Sequence, residues 1–210
     1  ASQGANAKMT LRAKCNAALT YLEAPKNVER AIELYREMAE QPGGATQLQD
    51  YGYALWTERN AVDEAEQAFR AAIALDPGFA KAHVNLGALL QNERGDLDGA
   101  EQAFRAAVEA DALDAQAHFN LGLLLHMQEE FDGAEEAYRA AIVVDPGFAD
   151  AHSHLGHLLH NERNELDAAE EAFRTAIAHE PGHAKAHSNL GLLLQCERQD
   201  LSGAEASYRA

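Results

Sequence analysis

The dipeptides Tyr51-Gly52, Leu86-Gly87, Leu121-Gly122, Leu155-Gly156 and Leu190-Gly191 recur at intervals of 35, 35, 34 and 35 residues. An alanine follows each glycine after 12 or 13 residues, at Ala65, Ala100, Ala134, Ala169 and Ala204. Four residues further on stands an aromatic, at Phe69, Phe104, Tyr138, Phe173 and Tyr208. Self-similarity at this period constrains the fold more than any other feature. Each copy is one supersecondary unit that cannot bury its apolar face alone, so copies stack into a solenoid. Such an array offers extended surface instead of an enclosed pocket, which points to binding before catalysis.

The repeat covers nearly all of the 210 residues, so one elongated array is expected, with residues 1–10 as a polar tail. No apolar run is long enough to span a membrane, and the tail does not have the form of a secretory signal. A net charge of −17 opposes binding to nucleic-acid phosphates. Cys15 and Cys196 lie near opposite ends of the repeats, too far apart for an intrachain bridge. A reducing, cytoplasmic setting is therefore expected, with an organelle left open.

Residues 80–113 show how one repeat is built. Ala80 to about Glu93 reads as a helix, with Ala82, His83, Leu86, Gly87 and Leu90 on one face. A polar stretch ends it, and a second helix is expected from Asp98, with Asp98 and Glu101 as a capping box. The same pair returns as Asp63/Glu66, Asp132/Glu135, Asp167/Glu170 and Ser202/Glu205. Ala100, Phe104 and Ala107 are expected to pack inward. Asp76-Pro77-Gly78, Asp145-Pro146-Gly147 and Glu180-Pro181-Gly182 close their repeats, because proline blocks helix continuation and glycine permits the turn. Ala110-Asp111-Ala112 lacks that signal.

Together, Ala82-His83-x-Asn85-Leu86-Gly87 and Ala100-x-x-x-Phe104-x-x-Ala107 resemble the tetratricopeptide repeat family. The resemblance implies an all-α, right-handed superhelical solenoid of antiparallel helix pairs. Repeats are expected at 11–44, 45–79, 80–114, 115–148, 149–183 and 184–210, the first of them carried more weakly by Leu19, Leu22, Ala31, Tyr35 and Met38. Four repeats carry an extra residue after a Glu-Arg pair (Glu58-Arg59, Glu93-Arg94, Glu162-Arg163, Glu197-Arg198), read as polar helix ends. The last repeat stops inside its second helix. An uncapped end exposes apolar surface, so the chain is expected to belong to a longer protein or to dock there on a second copy or a partner.

In this family the first helices line a concave groove, and the resemblance implies a protein or peptide partner held there. Equivalent places in successive repeats carry Asp50, Asn85, Asn120, His154 and Asn189. A carboxamide donates and accepts at once, so such a series suits the backbone of an extended peptide. A similar asparagine series occurs in the repeats of O-linked N-acetylglucosamine transferases. The alternative is that these asparagines bond within the scaffold. Lys81, Gln116 and Lys185 are expected at the rim, and Val84, Ala88, Phe119, Leu123 and Leu192 as apolar contacts. Phe119 and Leu123 are read as anchors for a partner side chain, or else as packing between repeats. The basic set that clamps an acidic C-terminal tail in some members of the family is not found.

All ten histidines lie from His83 onward. His83, His118, His152 and His187 share one place and are read as half-buried fillers making one hydrogen bond each. His154, His157 and His160 form a stripe facing the groove, with His126 in the place equivalent to His160. The stripe is open to three readings: polar lining, a pH-sensitive patch, or a weak zinc or copper site. No nucleophile elbow, phosphate loop, dinucleotide fingerprint or zinc-protease motif is present, so neither catalysis nor a cofactor is expected. The leading expectation is a protein-interaction module. A structural subunit or spacer of a larger assembly is the alternative, as is the substrate-selecting repeat region of a larger enzyme.

Overall fold

The computed structural model describes Glu37 and residues 44–209. The expected tail and all but the edge of the repeat at 11–44 lie outside the described residues. The rest is helical, in consecutive hairpins. The chain divides into two compact units, the first ending at Ala110 and the second starting at Asp111. In the first unit, helices α1 (Gly44–Arg59) and α2 (Val62–Leu75) form one hairpin. Helix α3 (Ala80–Leu89), prolonged by a π-helical turn at Leu90–Arg94, pairs with α4 (Leu97–Ala110). The second unit has three hairpins: α5 (Ala115–Met127) with α6 (Phe131–Val144), α7 (Ala149–Asn161) with α8 (Leu166–His179), and α9 (Ala184–Cys196) with α10 (Leu201–Arg209). Within each unit the second helix of a hairpin also packs on the first helix of the next.

The repeated residues make the core as expected. Ala100, Ala103, Phe104 and Ala107 are buried on α4, and Ala134, Ala137, Tyr138 and Ala141 on α6. Their smallness allows the two backbones of a hairpin to close together, and the aromatic fills what remains. The glycine opposite is required for that approach. A Cβ at Gly122 would lie 2.7 Å from the Tyr138 ring, and one at Gly87 2.7 Å from Phe104.

Turn chemistry departs from the sequence reading in two places. Asp111 makes the turn that lacks Pro-Gly: its Oδ1 accepts from Leu113 N at 3.0 Å, as Asp76 does from Gly78 and Asp145 from Gly147. The aspartate, not the proline, is therefore the common element of these three turns. The capping boxes do not form as expected. Helices α2, α6 and α8 start after Ala61, Glu130 and Glu165 with no side-chain cap. Before α4 and α10 the capping residues are Asp96 and Asp200, each accepting at 3.0 Å from Gly99 N or Gly203 N. The helices begin one to two residues earlier than the pattern suggested, so Asp63, Asp98, Asp132 and Asp167 fall inside the first turn. There a carboxylate still meets the positive end of the helix.

Three of these acids take a second partner. The Glu-Arg arginines reach back to the preceding repeat: Arg94 to Asp63, Arg163 to Asp132 and Arg198 to Asp167. Glu66, Glu135 and Glu170 join at 3.3–3.4 Å. The arginines are thus clips between adjacent hairpins of one unit, a role beyond that of polar helix ends. After each of Arg59, Arg94, Arg163 and Arg198 stands a residue in the left-handed region: Asn60, Gly95, Asn164 and Gln199. In the shorter loop that place falls to Glu129, at φ 63°.

The four equivalent histidines are half-buried fillers, as read from sequence. The ring Nε2 of His83, His118, His152 and His187 donates to the carbonyl six residues earlier, on Pro77, Ala112, Pro146 and Pro181, at 2.9–3.1 Å. Each histidine ties the start of a hairpin to the turn before it.

Candidate ligand groove

The first helices of the second unit, α5, α7 and α9, differ from their partners in one respect that follows from sequence. They are apolar or neutral on nearly every face. Among Asp, Glu, Lys and Arg, α5 has none, α7 has Asp150 and α9 has Lys185. Between them lies a groove of about 450 Å³, large enough for one or two side chains of a ligand. Six of the residues singled out from sequence meet there: Leu123 and His126 from α5, His154 and His157 from α7, and Lys185 and Asn189 from α9.

The groove also takes in residues that sequence reasoning did not select. Tyr138 closes its floor, with Ser153 beside it and Ser188 and Met127 at its sides. Met127 is 61% exposed, a large apolar group left facing solvent. Tyr138 carried a readable signal. It is tyrosine where Phe69, Phe104 and Phe173 stand in sister repeats, and its hydroxyl needs a polar partner when buried. It finds His126 Nδ1 at 3.4 Å. Tyr208, the other tyrosine at this place, donates to Gln195, the residue equivalent to His126, at 3.2 Å. Burial pushes the Tyr138 phenol well above its ordinary range.

Phe119 is buried at 7% exposure. Its ring lies 5.0 Å from Phe148, 5.3 Å from His154 and 5.9 Å from Tyr138, centroid to centroid. It packs beneath the groove and holds the His154 ring edge-on, so Leu123, half-buried, is the apolar residue of the pair that reaches the open volume. Asn120 accepts from Gln116 Nε2 at 2.8 Å. The Asn189 side chain has no hydrogen-bond partner among the described residues. In the first unit, Lys81 is exposed on α3, Val84 is half-buried, and the buried Nδ2 of Asn85 finds no hydrogen-bond partner.

The imidazoles share the groove without converging on a point. His126 and His157 have centroids 5.7 Å apart, and His157 Nε2 lies 2.9 Å from Asn161 Nδ2. His160 points to Glu197, at 3.9 Å. Among the described residues, no three His, Cys, Asp or Glu side chains are placed to hold a metal ion. Steps of three residues along a helix advance each ring by about 4.5 Å, and each has found a different neighbour. Burial, foremost, then the Lys185 charge, bring His154 down to about 4. Burial and then His126 lower His157 from its ordinary value.

A tetratricopeptide repeat family profile matches residues 88–151 and 158–210. No curated protein matches the chain. Among solved structures, a crystal structure of MamA is 25% identical, with a TM-score of 0.65, covering 73% of this chain and 88% of its own. Pseudomonas aeruginosa PilF is 22% identical, TM-score 0.71, covering 94% and 88%. YrrB, described as a tetratricopeptide repeat protein with an unusual peptide-binding site, is 23% identical, TM-score 0.62, covering 78% and 82%. The last two establish likeness of fold. Among the described residues, no helix is long and apolar enough to cross a membrane.

Proposed function

This chain belongs to the tetratricopeptide repeat family, and we propose that it is a protein-interaction module that holds a segment of a partner protein in the groove of α5, α7 and α9. The observation that carries the reading is the meeting of an open apolar side chain, Leu123, with unpartnered polar groups on Lys185 and Asn189 around one volume. An apolar side chain of the partner is buried against Leu123 and Met127, worth roughly 1.5–3 kcal/mol when fully covered. Asn189 and the free amide hydrogens of Asn120 meet partner backbone. Phe119 and Gln116 hold the floor and the amide in place. On the first unit, Asn85, Lys81 and Val84 are read as the corresponding contacts. The asparagines resemble those of O-linked N-acetylglucosamine transferases, and the reading takes from that likeness peptide contact alone. That YrrB is described by a peptide-binding site agrees with this use of the fold. The module is read as a binder, not an enzyme.

The test is a set of peptides selected from a random library on the unmodified chain. Leu123→Asp places a charge in the apolar volume and is expected to weaken them at least about tenfold, the equivalent of 1.4 kcal/mol. Unchanged binding would remove the groove from the account.

A further inference from the structure

We infer that the groove of the second unit takes an uncharged segment bearing an apolar side chain and releases it on acidification, through the cluster of His126, His154 and His157. This rests on the reading that the groove holds a partner segment, and names that segment's chemistry and its control.

The chemistry follows from charge. The whole chain carries −17, yet the three helices around the groove hold one acid and one base besides histidine. The acid is already engaged: His183 Nδ1 accepts from Ala186 N, so its Nε2 donates to Asp150, at 3.2 Å. The base, Lys185, lines the volume together with Leu123, Met127, the Tyr138 ring, three imidazoles and the neutral polar groups of Ser153, Ser188 and Asn189. While the imidazoles are neutral, the complement of such a surface is an apolar side chain on a segment whose backbone carbonyls accept from Lys185 and Asn189.

The control follows from the packing of the imidazoles. His126 and His157 stand 5.7 Å apart, and His154 lies 5.9 Å from Tyr138 and 5.3 Å from Phe119. A proton on one ring puts charge beside the others in a half-desolvated space. The neighbours on every side weigh on the outcome. Lys185 from α9, His126 from α5 and His160 on α7 itself oppose protonation, and Tyr138 from α6 offers a neutral hydroxyl. Asp150 and Glu162 favour it, but Asp150 is engaged by His183, and Glu162 is exposed at the end of α7. Burial already lowers His154 and His157, and an apolar occupant would bury them further. An occupant that excludes protons binds more weakly as pH falls through the free-groove values, by about tenfold per pH unit for each group below its own value.

Peptides selected from a random library on the unmodified chain at about pH 7.5 test this, with dissociation constants measured there and at about pH 5.0. The selected sequences are expected to be apolar and poor in Asp and Glu, and to bind measurably more weakly at the lower pH. Circular dichroism at both pH values establishes that the chain stays folded. The paired variant His126→Gln, His157→Gln is expected to bring the ratio of the two constants toward one, whatever its affinity at pH 7.5. Glutamine is suited to the first place, since Gln195 already partners Tyr208 at the equivalent one. Selection of acidic peptides, or affinity that is flat or rises on acidification, would overturn the inference. Peptides that Leu123→Asp abolishes but pH leaves untouched refute this inference alone. Peptides indifferent to Leu123→Asp, or none selected, refute the groove reading on which it stands.

Discussion

Single residues carry the departures from the average repeat. Among the described residues, Glu129 sits at φ 63° in the inter-helix loop that lacks the extra residue, a conformation that costs a side chain with a Cβ roughly 1–2 kcal/mol. Replacing it by glycine returns part of that and gives part back as unfolded-chain entropy. Glu129→Gly is expected to raise stability by up to about 1 kcal/mol, read as a higher urea midpoint with an unchanged slope. His154 sets a pH dependence of stability. Its folded value, near 4, is below its ordinary 6.5, so the folded chain favours the neutral ring. The stability this contributes is present in full above pH 6.5 and is lost as pH falls toward 4. In His154→Leu, urea midpoints measured from pH 7 to 4.5 should fall less steeply than in the unmodified chain. An equal fall would assign the effect to other groups. The equivalent histidines were legible as fillers because four copies share one register. Their carbonyl partners six residues back depend on the turn path, which periodicity does not report. For Phe119 and Leu123 the helical register was readable. Which of the two reaches the open volume was not, because that depends on the neighbours Phe148 and His154 supplied by the next hairpin.

Helices pair through the glycine–aromatic contact, and this was the most legible feature of the chain. Gly122→Ala would drive a methyl into the Tyr138 ring, and overpacking of this kind costs about 1–3 kcal/mol. Because that ring also floors the groove, the variant should lose stability and peptide affinity together, by denaturation and titration respectively. The capping boxes were misread for a physical reason. An Asp-x-Asp sequence offers two acceptors in succession, and in Asp96-Leu97-Asp98 the first is the cap. The second position is then left for other use, and in sister repeats Arg94, Arg163 and Arg198 take it. That contact joins residues 31 apart, beyond any local pattern. These pairs are exposed and screened by solvent, so each is worth little. A double-mutant cycle on Arg163 and Asp132 should give a small coupling that shrinks at high salt. A larger, salt-independent coupling would make the clip a principal source of stability.

At the scale of the molecule, repetition and charge distribution together define where recognition takes place. The acids sit mainly on the second helices and in the loops, while α5, α7 and α9 are left nearly free of fixed charge. That division was present in the sequence, since helix registers were readable from the repeats. The groove itself was legible only in part, as Met127, Tyr138 and Ser188 enter it through the angle at which hairpins stack. The most direct test is an amide NMR titration of the chain with a library-selected peptide. The account predicts shift changes concentrated at Leu123, His154, His157, Lys185 and Asn189 and their neighbours. Changes confined to the second helices α6, α8 and α10 would contradict it and move recognition to the opposite face.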